Sequence, residues 1–156
     1  MNSIYILTGE IKSGKTTRLQ KFIDENSNCD GIIAPEIDGY RNLVRIKSGE
    51  TKLLEYLGGV PYPALTLKCN YKFLDSVFEW GMNELYSAYK QNPGWLIIDE
   101  IGPLELECKA LDPMVSRILN EDSNNSNIIL VVRKNMLEEV IEHYNLHKKG
   151  YKFINK

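Results

Sequence analysis

Eight consecutive residues near the start of the chain fit the pattern G-x-x-x-x-G-K-[ST]. They are Gly9, Glu10, Ile11, Lys12, Ser13, Gly14, Lys15 and Thr16. The segment lies between a short apolar run, residues 4–7, and a stretch with apolar residues at helical spacing. A loop between a strand and a helix can turn successive backbone N–H groups toward one point, and the helix N-terminus adds partial positive charge. The segment therefore predicts a site for the phosphate groups of a nucleotide.

The last residues of this predicted phosphate loop are expected to bind different parts of the nucleotide–magnesium complex. We expect Lys15 to reach the terminal phosphates as a point charge, and the Thr16 hydroxyl to ligate a bridging Mg²⁺. Thr17 completes the predicted nucleotide-binding segment. Lys12 adds a further positive side chain to the loop, and we expect it to face solvent because lysine is usually exposed.

Two acidic residues follow the apolar run at 95–98. Asp99 closes a predicted buried strand, where a carboxylate can hold Mg²⁺ directly or through water. Glu100 is expected to point elsewhere and to accept a proton from an attacking water. The alternative interpretation of Glu100 is a solvated loop acid or a helix cap. Together with the phosphate loop, this pair favours a hydrolytic reaction over simple binding.

Arg133 directly follows another apolar run, residues 128–132. The carboxyl ends of parallel strands meet at one edge of a sheet, so Arg133 is expected on the same face as the phosphates. There it can stabilise charge that develops on the transferred group. We include it among the catalytic candidates, with a solvated loop arginine as the alternative. Arg41 and Arg45 are interpreted as structural or peripheral.

Apolar and amphipathic segments alternate along the chain. Strands are predicted at 4–7, 31–34, 95–98, 128–132 and 151–154, and the longest helical pattern spans 73–89. Two strand-like pieces around Ser48-Gly49-Glu50 predict a β-hairpin inserted after the second strand. Asp112 before Pro113 is typical of a helix N-cap. This order predicts an α/β fold with a mostly parallel sheet, right-handed crossovers and ligands at the carboxyl ends of the strands.

Composition points to one ordinary globular domain spanning residues 1–156. Of these residues 43% are hydrophobic and 26% charged, which does not suggest disorder. The net charge of −2 and the dispersed basic residues give no support for nucleic-acid binding. No run reaches membrane-spanning length and no export leader is recognised, so a cytoplasmic location is expected. Nothing in the residues identifies a protein partner.

The cysteines and histidines give no metal-binding pattern by spacing. Cys29, Cys69 and Cys108 are far apart and lack C-x-x-C spacing, which favours reduced thiols over disulfides or a zinc ribbon. His143 and His147 are expected at the surface, too far from other ligands to form a metal site.

The phosphate loop and the segment D-E-I-G-P-L-E at 99–105 together resemble the small nucleoside-triphosphatase family first named from thermophiles, which also has a cancer-related human member. In that family the second segment reads D-E-I-G-x-M-E, and Leu104 stands here in place of the methionine. Lys12 stands where the family usually has glycine. The resemblance implies a three-layer P-loop fold of the additional-strand, catalytic-Glu type. It also implies Mg²⁺-dependent hydrolysis of nucleoside triphosphates to diphosphates, with loose base selectivity.

Two other function classes share these motifs. A small-molecule or nucleotide kinase has the same loop and magnesium site, but it needs an acceptor pocket and usually an arginine-rich lid, and no arginine cluster is present. A nucleotide-dependent regulatory factor with slow hydrolysis is not separated from an enzyme by any residue pattern. The N-K-x-D motif expected of guanine-specific switches does not occur.

Overall fold

The computed structural model describes residues 3–9, 15–58, 64–68, 71–121 and 124–154. The strands within these ranges are β1 (Ser3–Gly9), β2 (Cys29–Ile33), β3 (Glu36–Ile37), β4 (Tyr40–Arg45), β5 (Thr51–Leu53), β6 (Leu65–Lys68), β7 (Tyr71–Leu74), β8 (Trp95–Ile101), β9 (Asn127–Arg133) and β10 (Lys152–Phe153). The helices are α1 (Lys15–Glu25), α2 (Asp75–Lys90), α3 (Pro103–Leu106), α4 (Asp112–Asn120), α5 (Leu137–His143) and α6 (Leu146–Lys149), with a 3₁₀ turn at Lys134–Met136.

The central sheet has the strand order β10-β1-β9-β8-β2-β4-β3, and β5 pairs with β4. The five strands from β10 to β2 are parallel to their neighbours. Strand β9 lies between β1, which leads into the phosphate loop, and β8, which carries Asp99 and Glu100. This is the additional strand that the sequence resemblance implies. The predicted α/β fold with a mostly parallel sheet is therefore confirmed.

Alternate side chains of β9 show how the sheet is covered on both faces. Ile128, Leu130 and Val132 pack into the larger core with residues of α2, α4 and α5. Ile129 and Val131 pack into a second core that includes Leu19 of α1. Side chains point to opposite faces every second residue, so a strand covered on both faces must be apolar throughout. The result is three layers, helix, sheet and helix, as predicted.

No helix within the described ranges is long and apolar enough to cross a bilayer.

Three local predictions need correction. The predicted hairpin is present as β4 and β5, but β4 also joins the main sheet antiparallel to β2. Phe73 and Leu74 were expected at the start of the long helix, yet they belong to β7, which pairs with β6, and α2 begins at Asp75. Phe73 and Leu74 fit the helical period, but their backbone groups pair with β6 as part of a two-stranded sheet instead of joining the helix. Asp112 is the first residue of α4 rather than its N-cap, which is Leu111.

A buried ion pair attaches β4 to the parallel sheet. Both Asp30 oxygens accept hydrogen bonds from Arg45, at 2.8 Å from Nε and 2.7 Å from Nη2. Burial is the largest single influence on Asp30 and opposes its ionisation. The hydrogen bonds and charge of Arg45, together with the backbone N–H groups of Gly31 and Lys47, outweigh burial and hold the pKa of this carboxyl below its usual value. Next to it, Gly31 has φ of +130°, and a Cβ there would collide with the backbone oxygen of Ile97. Glycine is required at this close approach of β2 and β8.

We expect Arg45→Met to lower the free energy of unfolding by about 3–5 kcal/mol, because it leaves the Asp30 carboxylate buried without its cation. Urea unfolding measures the loss. Lys109→Met is the control, since Lys109 and Glu107 form an exposed pair and such pairs contribute about 0–1 kcal/mol. Equal losses in the two variants would contradict this account of the β2–β4 contact.

Candidate active site

The carboxyl ends of β1, β9 and β8 lie side by side. Gly9, the last residue of β1, is the register partner of Arg133, the last residue of β9. On the other side of β9, Val132 is the register partner of Ile101 at the end of β8. Neighbouring strands lie about 4.8 Å apart. The start of the predicted phosphate loop, Arg133 and the acidic pair of β8 are therefore at one edge of the sheet, as the sequence predicts.

An irregularity in β8 separates the two acidic side chains. Ile98 pairs with Leu130 and Ile101 with Val132, so β8 has one extra residue between these positions. A bulge of this kind bends a strand and changes where its side chains point. Asp99 is buried, with 8% of its surface exposed, whereas the Glu100 side chain is 23% exposed. Glu100, which was expected to point elsewhere than Asp99, thus differs from it in exposure.

Asp99 joins the ends of two neighbouring strands. Its Oδ2 accepts a hydrogen bond from the backbone N–H of Ala34, just beyond β2, at 3.1 Å. Because this contact spans from β8 to the end of β2, it fixes the carboxylate at the edge of the sheet. A fixed carboxylate at this position is a suitable hard oxygen donor for Mg²⁺.

Glu100 and Arg133 form an ion pair across the ends of β8 and β9. Arg133 Nη2 lies 3.4 Å from Glu100 Oε1, and the two side chains are 32% and 23% exposed. A contact of this length is weak. The guanidinium therefore keeps hydrogen-bond donors, and the carboxylate keeps acceptors, that can serve a substrate. Neither is the freely solvated loop residue that was the alternative for both.

The phosphate loop itself is only partly described. Gly9 ends β1, and α1 begins at Lys15, so the predicted strand and helix are both present around it. Thr17 is an exposed residue of the first turn of α1. The predicted roles of Glu10, Ile11, Lys12, Ser13 and Gly14, and of the Lys15 and Thr16 side chains, lie outside the described residues.

Glu105 holds the segment that follows β8. Its Oε1 accepts from the Gly102 N–H at 2.9 Å and its Oε2 from the Leu111 N–H at 3.2 Å. Glu105 is 5% exposed. Burial, the largest influence, raises the pKa of Glu105 to about 7, although both backbone hydrogen bonds act to lower it. Glu105, the last residue of the D-E-I-G-P-L-E segment, thus fixes the backbone at Gly102, two residues after Glu100.

We expect Glu105 to make stability depend on pH near neutrality. The unfolded chain releases this proton near pH 4.5 and the folded protein near pH 7. Between these values the folded state binds more protons, so the free energy of unfolding falls as the pH rises through this window, then levels off. Urea unfolding at several pH values should show this fall, and Glu105→Gln should remove it. Glu107→Gln, at an exposed position, should keep the wild-type slope; equal slopes in the two variants would contradict the assignment.

A cavity of about 220 Å³ opens beside the Glu100–Arg133 pair. Its polar lining includes Arg41, whose Nη1 donates to the Ala34 carbonyl at 2.6 Å. Its apolar wall includes Tyr71 and Phe73 of β7, whose rings stack with centroids 5.8 Å apart. Ligand pockets for drug-sized molecules usually measure about 300–1,000 Å³. This cavity suits water and a small group rather than a whole nucleoside.

Sequence reasoning missed the wall of this cavity. Phe73 was assigned to the start of the long helix, and Arg41 was considered structural or peripheral. The available signal is the alternation of apolar and polar residues over 71–73, but three residues are too few to distinguish a strand from the start of a helix.

Comparison with known proteins agrees with this geometry. A family model described as NTPase matches residues 4–155. The chain is 31% identical over 124 residues to the nucleoside-triphosphatase THEP1 of Sulfurisphaera tokodaii, covering 76% of this chain and 71% of that protein.

Two solved structures share the fold. The crystal structure of THEP1 from the hyperthermophile Aquifex aeolicus superposes with a TM-score of 0.74 at 22% identity, over 99% of this chain and 89% of that one. The solution structure of a human cancer-related nucleoside triphosphatase gives 0.67 at 22% identity, over 98% and 88%. With the family match over nearly the whole chain and the acidic pair and Arg133 beside the start of the loop, the protein belongs to the nucleoside-triphosphatase family and is a nucleoside-triphosphate hydrolase.

Proposed function

We propose that this protein hydrolyses ATP, GTP and other nucleoside triphosphates to the diphosphate and phosphate in a Mg²⁺-dependent reaction. Lys15 and the amides of the loop from Gly9 to Thr17 bind the β- and γ-phosphates. Glu100 orients the attacking water and accepts its proton. Arg133 neutralises charge that develops on the γ-phosphoryl group.

Thr16 and Asp99 are the proposed ligands of Mg²⁺. Mg²⁺ prefers oxygen donors and usually binds one or two protein groups together with substrate phosphates. The buried Asp99 carboxylate, held by the Ala34 N–H, fits this preference. When bound, Mg²⁺ would neutralise phosphate charge.

The observation that carries the proposal is the register of the strand ends. Gly9 is paired with Arg133, and Arg133 contacts Glu100 at 3.4 Å. A carboxylate and a guanidinium therefore stand together next to the start of the phosphate loop, which supports the roles proposed for them. A protein that only bound nucleotide would not need a carboxylate and a guanidinium at this place.

Phosphate release from each common nucleoside triphosphate, with Mg²⁺ or with a chelator, tests this function. We expect release only with Mg²⁺, at similar rates for several bases, and reduced to background in Lys15→Ala. Lys21→Ala is the matched control, because Lys21 is an exposed lysine further along α1. Release that survives chelation, or that Lys15→Ala leaves unchanged, would contradict the proposal.

The cavity supports a second candidate function. A kinase needs room for an acceptor beside the base, and the cavity of about 220 Å³ adjoins Glu100. A small hydroxyl compound would fit there in place of water. Adding such compounds should leave nucleotide consumption unchanged if water is the sole acceptor. Consumption that rises with an acceptor without equal phosphate release would favour the kinase.

A further inference from the structure

Three side chains of types that can ligate a metal meet where α3, α4 and α5 pack together. Cys108 lies between α3 and α4, Asp112 begins α4, and His143 ends α5. One possible ligand atom from each, the Cys108 Sγ, an Asp112 carboxylate oxygen and a His143 ring nitrogen, all lie within 4.8 Å of one another. The expectation that His143 is far from other ligands is therefore wrong. Residues so far apart in the chain do not form a recognisable metal-binding motif in the sequence.

The central carboxylate of this group is already oriented. Asp112 is 4% exposed, and its Oδ1 lies 2.8 Å from His143 Nε2. The same oxygen accepts hydrogen bonds from the Tyr144 hydroxyl at 2.7 Å and the Ser116 hydroxyl at 3.3 Å. Carboxylates that bind metals in proteins are held by such outer hydrogen bonds.

The surroundings favour a cation. Glu105 is also buried close enough for its charge to interact with that of Asp112. The ion-pair partner that the structure gives Asp112 is His143, which is positive only when it is protonated. An ion can reach the group, because Cys108 is exposed and His143 is half-buried.

We propose that Cys108, Asp112 and His143 bind one Zn²⁺-like ion, distinct from the proposed Mg²⁺ of the active site. A thiolate, an imidazole and a carboxylate form a donor set for Zn²⁺ or Co²⁺, whereas Mg²⁺ and Ca²⁺ prefer oxygen ligands only. Binding releases the Cys108 proton to solvent and replaces the His143–Asp112 hydrogen bond with two bonds to the metal. The proton on His143 Nε2 must leave that nitrogen: a neutral ring carries it on Nδ1 instead, and a doubly protonated ring releases it to solvent. Water occupies the fourth position. The ion would tie the α3–α4 turn to α4 and α5.

Titration of the reduced, metal-free protein with Co²⁺ tests the site, because cobalt bound to a thiolate gives a charge-transfer absorption band. We expect one Co²⁺ per chain with this band, and Zn²⁺ should remove it by displacement. Cys108→Ser should abolish the band, and His143→Ala should weaken Co²⁺ affinity by more than about 10-fold. Zn²⁺ should raise the melting temperature of the wild type but not of Cys108→Ser.

Matched variants separate this site from other thiols and histidines. Cys29→Ser, Cys69→Ser and His147→Ala should keep the band and the wild-type affinity, and His147 is exposed four residues beyond His143. Cys108→Ser changes an exposed side chain, so its fold can be verified by circular dichroism. A wild-type protein without the band, a band that persists in Cys108→Ser, or one that disappears in Cys29→Ser or Cys69→Ser would overturn the proposal.

Discussion

Glu100→Gln is expected to slow phosphate release by about 10²–10⁴-fold, the usual contribution of a general base. Glutamine keeps the shape and the hydrogen bond that Arg133 can donate, but it cannot take a proton from water. Nucleotide affinity, measured without turnover, should remain within about threefold of the wild type, because the lost interaction acts in the transition state.

Glu36→Gln is the matched control for this change. Glu36 lines the same cavity, but it is exposed on β3 and does not close the strand that carries Asp99. Its rate should stay close to the wild-type rate. Unchanged release in Glu100→Gln, or equal losses in the two variants, would remove Glu100 from the proposed role.

Arg133→Ala is expected to have an effect at least as large, because arginines that stabilise phosphoryl transfer contribute about 10³–10⁵-fold in kcat. Arg133→Lys should recover only part of the rate, since an ammonium lacks the planar fork of donors. Steady-state kinetics with saturating nucleotide measures kcat for both variants. Lys134→Ala, at the exposed neighbouring position, should retain wild-type activity.

A double variant separates two ways in which Arg133 can act. If Arg133 contacts the γ-phosphoryl group, Arg133→Ala should lower the rate further when Glu100 is already glutamine. If it only positions Glu100 through their contact at 3.4 Å, the second change should add little. We expect a further loss, because Arg133 also borders Gly9 on β1. An additional loss of less than about twofold would make Arg133 a positioning residue.

The sequence predicts well which residues lie at the active-site edge of the sheet, because each of them follows a short apolar run that is visible in the chain. Buried parallel strands are apolar throughout, so the charged residues near the carboxyl ends of β8 and β9 stand out in the chain. Parallel packing then brings Asp99, Glu100 and Arg133 to one edge without any further information.

The rest of the site depends on contacts between distant residues. The Asp99 bond to Ala34 joins residues 65 positions apart, and the His143 contact with Asp112 joins residues 31 positions apart. Asp112 itself was assigned to a cap by a local rule, yet its carboxylate contacts α5 instead. Such pairs depend on how helices pack on the sheet, which hydrophobic periodicity does not specify.

The most direct test of the proposed hydrolysis is the fate of oxygen from isotope-labelled water during turnover of MgATP. Attack of water on the γ-phosphorus predicts one labelled oxygen in each released phosphate and none in the diphosphate. Label in the nucleoside diphosphate, or its absence from the phosphate, would contradict the proposed reaction.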